Sequence, residues 1–330
     1  MKNLTSFRPE DVITDVFRSV SFKSVLFCRS ELRAPWGFSV AAHGMAGFHI
    51  VTQGKCWLRV GRDKEMTELA KGDVVILTRG DGHSMSDDPK TTPTRLEVLL
   101  AKRPVDETYT FRWGGSGAGT ELVCGGFLFN DVKLNPLLAM LPRVIHTRGT
   151  NGDAAPYLQL TLKYIAEELK ANRPGVESVV TRLSDILFIQ AVRTFFGTTE
   201  GQQVGWLRGL KDPQIGLAIH MIQSRPESPW TVQSLGAQVG MSRSSFADRF
   251  QTLVGESPLR YLTRWRLNQA AVQLRTTTAK LPEIAKRAGY ESEFAFSRAF
   301  KRDAGVSPGA YRKAAKAIRT SSNRTRIRGN

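Results

Sequence analysis

Apolar positions along this chain follow two different periods, and the change between them divides it. From about residue 20 to 125 they come in short runs and alternations of strand length, broken by Gly, Pro and Asp. The runs SVLFCRSEL, GFSVAAH, AGFHIVTQG, KCWLRVG, MTELAKGD, VVILTRG and TRLEVLLA each read as a strand. Many short strands with this punctuation predict a β-barrel. Beyond residue 155 the period becomes helical. Residues 156–172 and 176–196 read as two amphipathic helices joined by Asn-Arg-Pro-Gly, the second with Val179, Leu183, Ile186, Leu187, Val192 and Phe195 at helical spacing. That apolar face is suited to cover the barrel. Residues 197–211 read as a linker, and 212–225 as the first helix of a second, all-helical domain. The predicted fold class is therefore α+β in two domains.

Within the helical domain the pattern repeats. The first copy is TVQSLGAQVGMSRSSFADRFQTLVGESPLRYL, from Thr231 to Leu262; the second is KLPEIAKRAGYESEFAFSRAFKRDAGVSPGAYR, from Lys280 to Arg312. Leu235, Gly236, Val239 and Gly240 align with Ile284, Ala285, Ala288 and Gly289. After a one-residue insertion, Phe246, Phe250, Gly255, Ser257, Pro258 and Tyr261 align with Phe296, Phe300, Gly305, Ser307, Pro308 and Tyr311. Each copy reads as a helix-turn-helix: a small residue (Gly236, Ala285) where two helices cross, and a glycine (Gly240, Gly289) for the sharp turn. Ser242 stands at an N-cap, a role that Glu291 or Ser292 fills in the second copy. Phe246 and Phe250 are one turn apart and point inward. The opposite face carries Arg243, Ser244, Ala247 and Asp248 in the first copy, and Glu293, Phe294, Ser297 and Arg298 in the second. Between the copies, 257–275 reads as one helix, about 28 Å long at 1.5 Å per residue, against about 34 Å between successive major grooves. Arg260, Arg264 and Arg266 on that helix are candidates for phosphate contacts.

Charge sharpens this reading. The chain has 47 Lys and Arg against 30 Asp and Glu, a net charge of +17. Residues 205–330 hold 22 of the basic and 8 of the acidic side chains, so most of the surplus lies on the helical domain. A solubilising surface would account for the charge alone; the charge together with a duplicated helix-turn-helix points to nucleic acid. The tail, 315–330, contains Lys316, Arg319, Arg324, Arg326 and Arg328 and no acid. It reads as a disordered segment, either adding non-specific phosphate contacts or simply solvated.

Over about residues 212–314, including GESPLRYL, GYESEFAFSRAFKR and GVSPGAYR, the sequence resembles the AraC/XylS family of transcription regulators. The resemblance implies two recognition helices entering adjacent major-groove segments of double-stranded promoter DNA. It places Ser242, Arg243, Ser244, Ser245, Ala247, Asp248 and Arg249 on the first, and Ser292, Glu293, Phe294, Ala295, Ser297 and Arg298 on the second. Asp248 either accepts from a cytosine amino group or pairs with Arg249 or Arg243. Unequal copies imply an asymmetric site read by one chain. The resemblance further implies a homodimer formed by the 156–196 helices, contact with RNA polymerase, and more often activation than repression.

The N-terminal half has a looser resemblance to the cupin-type sensory domain of some of these regulators. Gly72 to His83 has the glycine and histidine spacing of the second cupin motif, with Thr78 at the usual proline; Phe48 to Leu58 resembles a reduced first motif, and Arg33-Ala-Pro-Trp-Gly37 is similar to the same domain. This implies a cupin-like β-barrel across 1–196 that binds a small-molecule effector, with Arg33, Trp36, His49, Trp57 and His83 as candidate contacts. Trp36, Trp57 and Phe48 either line a pocket or belong to the core. Catalytic cupins present two or three histidines and a carboxylate to a metal. Here Gly47 and Gln53 stand where further ligands are usual, leaving His49 and His83 with His43 nearby, so neither a metal cofactor nor a catalytic residue is expected. The rival readings are a metal-dependent cupin enzyme with a DNA-binding appendage and a non-specific nucleoid-associated protein.

Cys28, Cys56 and Cys124 are odd in number and widely spaced, which suggests reduced thiols in a cytoplasmic protein without structural zinc. No apolar run approaches the ~20 residues of a membrane span. The first residues lack the apolar stretch and cleavage site of an export signal.

Overall fold

The computed structural model describes residues 22–129, 141–149, 156–198 and 205–315, together with 13, 14, 16, 17 and 138. The chain divides into two compact units, a sheet-rich one within 22–130 and 141–202, and a second that groups the helical residues from 203 onward with 1–21 and 131–140. No described helix is long and apolar enough to cross a membrane.

The sheet-rich unit contains β1 (Phe22–Arg33), β2 (Gly37–Val40), β3 (Ala46–Gln53), β4 (Lys55–Val60), β5 (Thr67–Ala70), β6 (Val74–Leu77), β7 (His83–Ser86), β8 (Thr94–Arg95), β9 (Thr110–Gly114), β10 (Gly119–Phe129) and β11 (Val144–Thr147). They form a six-stranded sheet, β11-β6-β3-β10-β1-β9, and a five-stranded sheet, β5-β4-β7-β2-β8. Among the described residues the two ladders do not join, so the predicted barrel is instead a pair of sheets. Closure would need hydrogen bonds between sheet edges. What joins these sheets is side-chain packing, with Leu32, Val51, Val75 and Leu122 of one meeting Phe38, Leu58 and Met85 of the other.

The run TRLEVLLA also departs from the strand expected of it. Only Thr94 and Arg95 pair as β8; Leu96–Lys102 is a helix, α1. Leu96, Leu99 and Leu100 fall three and four apart and pack on the inter-sheet core, and Glu97 and Lys102 suit the two ends of the helix dipole. The outer face of the six-stranded sheet is covered by α3 (Val176–Gly197), which packs beside α2 (Pro156–Ala171). Phe188 of α3 contacts Phe22, Phe127 and Phe129, and Asp185 accepts from the Ser24 amide and hydroxyl. The buried stripe of α3 is Val180, Ser184, Leu187, Phe188, Ala191, Val192 and Phe195, so Val179 and Ile186 lie outside it and are exposed.

A bulge in β1 decides which side chains face inward. Register with β10 runs Leu26↔Gly125 and then Cys28↔Cys124, leaving Phe27 as the extra residue. Before it, Phe22 and Ser24 meet α3; after it, Cys28 and Leu32 pack in the inter-sheet core. One inserted residue thus turns the even-numbered positions from one face to the other.

The helical unit contains α4 (Gly205–Lys211), α5 (Pro213–Ser224), α6 (Val232–Gln238), α7 (Arg243–Val254), α8 (Pro258–Thr276), α9 (Leu281–Arg287) and α10 (Glu293–Ala304), with further helix over 308–315. Helix α4 lies within the segment read as a linker. It forms because Leu207 and Leu210 are buried and Arg208 donates to the Thr252 carbonyl of α7. Asp212 caps α5 through the amides of Gln214 and Ile215. The basic tail lies outside the described residues from 316 onward.

Gly125 tests the packing of the six-stranded sheet, because an added Cβ would lie 2.4 Å from the Phe48 ring and 2.6 Å from the Val25 carbonyl oxygen. Gly125→Ala should therefore lower unfolding free energy by about 1–3 kcal/mol in denaturant titrations, an overpacking cost. Gly119→Ala on the same strand enters open space and should change stability little.

Candidate nucleic-acid interface and inner histidine row

The two repeats fold into matched helix pairs, α6 with α7 and α9 with α10. Gly240 and Gly289 have φ of 69° and 72°, which a side chain rarely adopts. At the crossing, a Cβ on Gly236 would come within 3.1 Å of the Met241 carbonyl oxygen. Ser242 caps α7 by accepting from the Ser245 amide, and Ser292, rather than Glu291, caps α10 by accepting from Ala295. Phe246 and Phe250 are fully buried, as are Phe296 and Phe300; Tyr261 and Tyr311 complete the two clusters edge-on at 5.9 and 5.4 Å.

These buried rings leave one exposed face on each second helix. On α7 it carries Arg243, Ser244, Ser245 and Asp248, with Ala247 half-buried. On α10 it carries Glu293, Phe294 and Ala295 with Arg298, and Ser297 half-buried. Phe294 is 71% exposed, and the Arg298 guanidinium lies 5.7 Å from its ring centre. An exposed ring beneath an exposed cation joins an apolar contact to a forked donor.

Four of the arginines expected on DNA are held by the protein itself. Arg249 donates through Nε and Nη2 to Asp212 at 2.8 and 2.5 Å, linking α7 to the start of α5, and so is not the partner of Asp248. Arg260 pairs with Asp303 at 2.5 Å, tying α8 to α10. Arg264 is ion-paired with Glu256 and largely buried. Arg266 donates to the carbonyls of Pro226 and Ser228 at 2.6 and 2.9 Å, and its guanidinium lies against Gly289. Spacing cannot separate such a brace from a phosphate ligand, because both need a cation on an exposed-looking helix face. Lys286, on α9, is an exposed cation that the sequence reading did not single out.

In the sheet-rich unit the five candidate effector contacts do not converge. Trp36 is buried in the inter-sheet core and stacks on Phe38, 6.0 Å between centres. Trp57 alternates with the core residues Cys56 and Leu58, so it lies on the outer side of its sheet. Arg33 opens onto a cleft of about 260 Å³ with Glu31, Gln53, Arg103, Arg112 and Trp113. Of the five, only His49 and His83 meet.

That meeting has a definite polarity. His49 Nε2 lies 2.8 Å from His83 Nε2, His49 Nδ1 lies 3.2 Å from Cys124 Sγ, and His83 Nδ1 lies 3.2 Å from the Asp81 carbonyl oxygen. Burial lowers the pKa of both imidazoles, His49 well below the ordinary value, so both are neutral near pH 7. A carbonyl only accepts, so His83 Nδ1 carries its proton and His83 Nε2 is the acceptor. His49 Nε2–H then donates to His83, and His49 Nδ1 accepts from the Cys124 thiol. A metal does not fit this donor set. The two imidazoles are satisfied by each other and by Cys124 and Asp81, and among the described residues no three His, Cys, Asp or Glu groups are placed to hold an ion. Cys28 completes the row: Cys28, Cys124 and His49 are direct register partners across β1, β10 and β3. Nothing in the sequence brings positions 28, 49, 83 and 124 together, since strand register alone does so.

Comparison with known proteins agrees with this division. Residues 11–197 match a family model described as cupin, and 235–314 match one described as a helix-turn-helix domain. An AraC-like transcription regulator of Streptomyces lividans is 35% identical over 304 residues, 92% of this chain and 98% of that protein. The transcriptional regulator AlkR of Acinetobacter baylyi is 30% identical over 92% of this chain and 99% of its own. Among solved structures, the DNA-binding domain of AdpA in complex with a target DNA is 36% identical, covers 33% of this chain and 97% of that one, and has a TM-score of 0.31. Similarity of this degree along nearly the whole length of its relatives means that the chain belongs to the AraC-like family of DNA-binding transcription regulators.

Proposed function

We propose that this regulator reads an asymmetric promoter site through two helix-turn-helix units, with α7 and α10 each entering the major groove of double-stranded DNA. The observation that carries this reading is the pair of matched cores with unlike exposed faces. Both units bury a pair of Phe rings against a Tyr and expose different groups, Arg243, Ser244 and Asp248 on one, Glu293, Phe294 and Arg298 on the other. Phe294 suits a thymine methyl, and Arg298 the two acceptors of a guanine edge. Phosphate contacts fall to the capped N-termini at Ser242 and Ser292 and to exposed cations such as Lys286, while Arg260, Arg264 and Arg266 hold the scaffold. DNA footprinting tests the reading: one protected site with two unlike half-elements is expected, whereas equal protection of any duplex would leave a non-specific binder.

The domain boundaries follow the same reading: 1–196 as the cupin-type half, 212–314 as the DNA-binding half. The sheet-rich unit senses a small molecule and acts by its different affinity for the active and inactive states of the regulator. Support comes from the polar row of His49, His83, Cys124 and Cys28, set where packing alone would place apolar groups. The protein works as a cytoplasmic homodimer that engages RNA polymerase and activates transcription. For the dimer, the supporting feature is an apolar stripe on α2: Tyr157, Leu160 and Tyr164, spaced three and four apart and all well exposed.

Three outcomes follow. Arg298→Ala should weaken binding to the preferred site by about 1–3 kcal/mol and relax selectivity at one base pair in competition assays. Arg264→Ala should lower thermal stability by about 1–3 kcal/mol, because Glu256 loses its cation, yet leave the slope of log K against log salt unchanged. A slope smaller by about one would put Arg264 on a phosphate after all. Leu160→Glu should convert a dimer into a monomer in sedimentation velocity; a wild-type monomer at micromolar concentration would remove the dimer from this reading.

A further inference from the structure

We propose that Cys28 and Cys124 are a dithiol that a hydroperoxide oxidises to a disulfide, and that this oxidation is the signal passed to the DNA-binding half. The proposal rests on the reading of the sheet-rich unit as the sensing half.

Four observations converge on this pair. First, Cys28 and Cys124 are direct partners in the antiparallel ladder of β1 and β10, on the same face of the sheet. Directly opposed residues have Cα atoms about 4.5–5.5 Å apart, inside the range of about 4.4–6.8 Å that a disulfide spans. Second, Cys28 faces inward only because the bulge at Phe27 turns it there; an unbroken strand would place it on the side of α3. Third, the other partner of Cys124 is a base, with His49 Nδ1 3.2 Å from its sulfur. Fourth, the three cysteines differ in access: Cys28 is partly exposed, whereas Cys124 and Cys56 are buried.

Electrostatics points the same way. The one thiol proton of Cys124 has two acceptors in reach, the Cys28 sulfur and His49 Nδ1. The Cys124 thiol beside it lowers the Cys28 thiol to about 7, against the opposing effect of burial, and the Ser30 hydroxyl adds to the lowering. Cys124 is correspondingly pushed up, first by the same contact with Cys28 and then by burial. Burial raises Cys56 to about 12, which leaves it an inert thiol.

The chemistry balances as follows. The Cys28 thiolate attacks the terminal oxygen of the hydroperoxide; the O–O bond breaks, Cys28 becomes a sulfenic acid, and hydroxide or alkoxide leaves and takes a proton from solvent. Cys124 passes its proton to His49 Nδ1 and attacks the Cys28 sulfur. The S–O bond breaks, and the departing hydroxide takes that proton to become water. Each sulfur gives up one electron in total, and the two electrons reduce the peroxide. Afterwards His49 Nδ1 is a buried acceptor with no thiol proton to accept. The His49–His83–Asp81 chain must then rearrange, and Asp81 also holds Arg143, just before β11. The oxidation therefore moves a connected set of groups rather than adding an inert crosslink.

The test uses the reduced full-length protein, hydrogen peroxide as the probe, and the DNA site found by footprinting. Peroxide should reduce the free thiols from three to one, yield a Cys28–Cys124 linked peptide in mass spectrometry, and be reversed by dithiothreitol. DNA affinity should differ at least about fivefold between the two states, the lower end of ordinary coupling between sites. Under the same exposure Cys124→Ser should accumulate a dimedone-reactive sulfenic acid at Cys28 and lose the change in affinity. The wild-type measurements need no variant, so a variant that fails to fold does not decide the matter. Three thiols surviving peroxide, or Cys56 reacting as fast as Cys28, would overturn the dithiol. A disulfide that leaves DNA affinity unchanged would overturn the switch while leaving the regulator intact. Absence of a preferred site in either state, with the disulfide formed, would overturn the reading of a sequence-specific regulator instead.

Discussion

The DNA-reading half depends on how closely a short helix can cross the next. Between α6 and α7 the contact is made at Gly236, where even a methyl group would press on the Met241 carbonyl. The chain must then reverse within a few residues, which it does through Gly240 in the left-handed region. The second unit meets the same demand with Ala285 and Gly289. Once the crossing is set, Phe246 and Phe250 have one place to go, and so do Phe296 and Phe300. The exposed face of each second helix is what remains, so the face proposed to meet DNA is a by-product of the buried one.

Holding two such units in one body requires connections within the protein, and here arginine supplies many of them. Arg249 ties α7 to α5, Arg260 ties α8 to α10, and Arg266 joins α8 to the loop after α5 while lying over the Gly289 turn. Arg275 and Arg312 likewise donate to Tyr311 and to the Ala279 carbonyl. The planar guanidinium forks between carbonyls and carboxylates in a way that an ammonium cannot. Part of the large positive surplus is therefore engaged in contacts within the protein.

In the sheet-rich half the central fact is a polar row inside an apolar layer. Cys28, Cys124, His49 and His83 come from three strands of one sheet and one of the other. From Cys124 through His49 and His83 the hydrogen bonds run in one direction, ending at the Asp81 carbonyl, and the lowered imidazole pKa values keep both rings neutral. Neutral, satisfied rings can be buried at modest cost, whereas a ring that loses its proton donor cannot. That asymmetry makes the row sensitive to chemistry at Cys124. The bulge at Phe27 is its structural precondition, since it alone brings Cys28 to the inner face.

The sequence by itself determined the elements whose signals are local. The duplicated Gly, Phe and Tyr spacing specified both helix pairs, because crossing, turn and inward face are all set within about 30 residues. Ser242 as a cap and the long helix at Pro258–Thr276 were legible for the same reason. Tertiary structure alone decided what depends on partners far apart in the chain. Whether the strands closed into a barrel turned on edge pairing. Whether 96–102 was a strand or a helix turned on the core it met, and which arginines were free turned on Asp212, Glu256 and Asp303 lying opposite them. The five proposed effector contacts scattered because alternation within a strand says which residues share a face, not which face is inside. For the same reason Cys28 and Cys124 read as unrelated thiols until strand register placed them side by side.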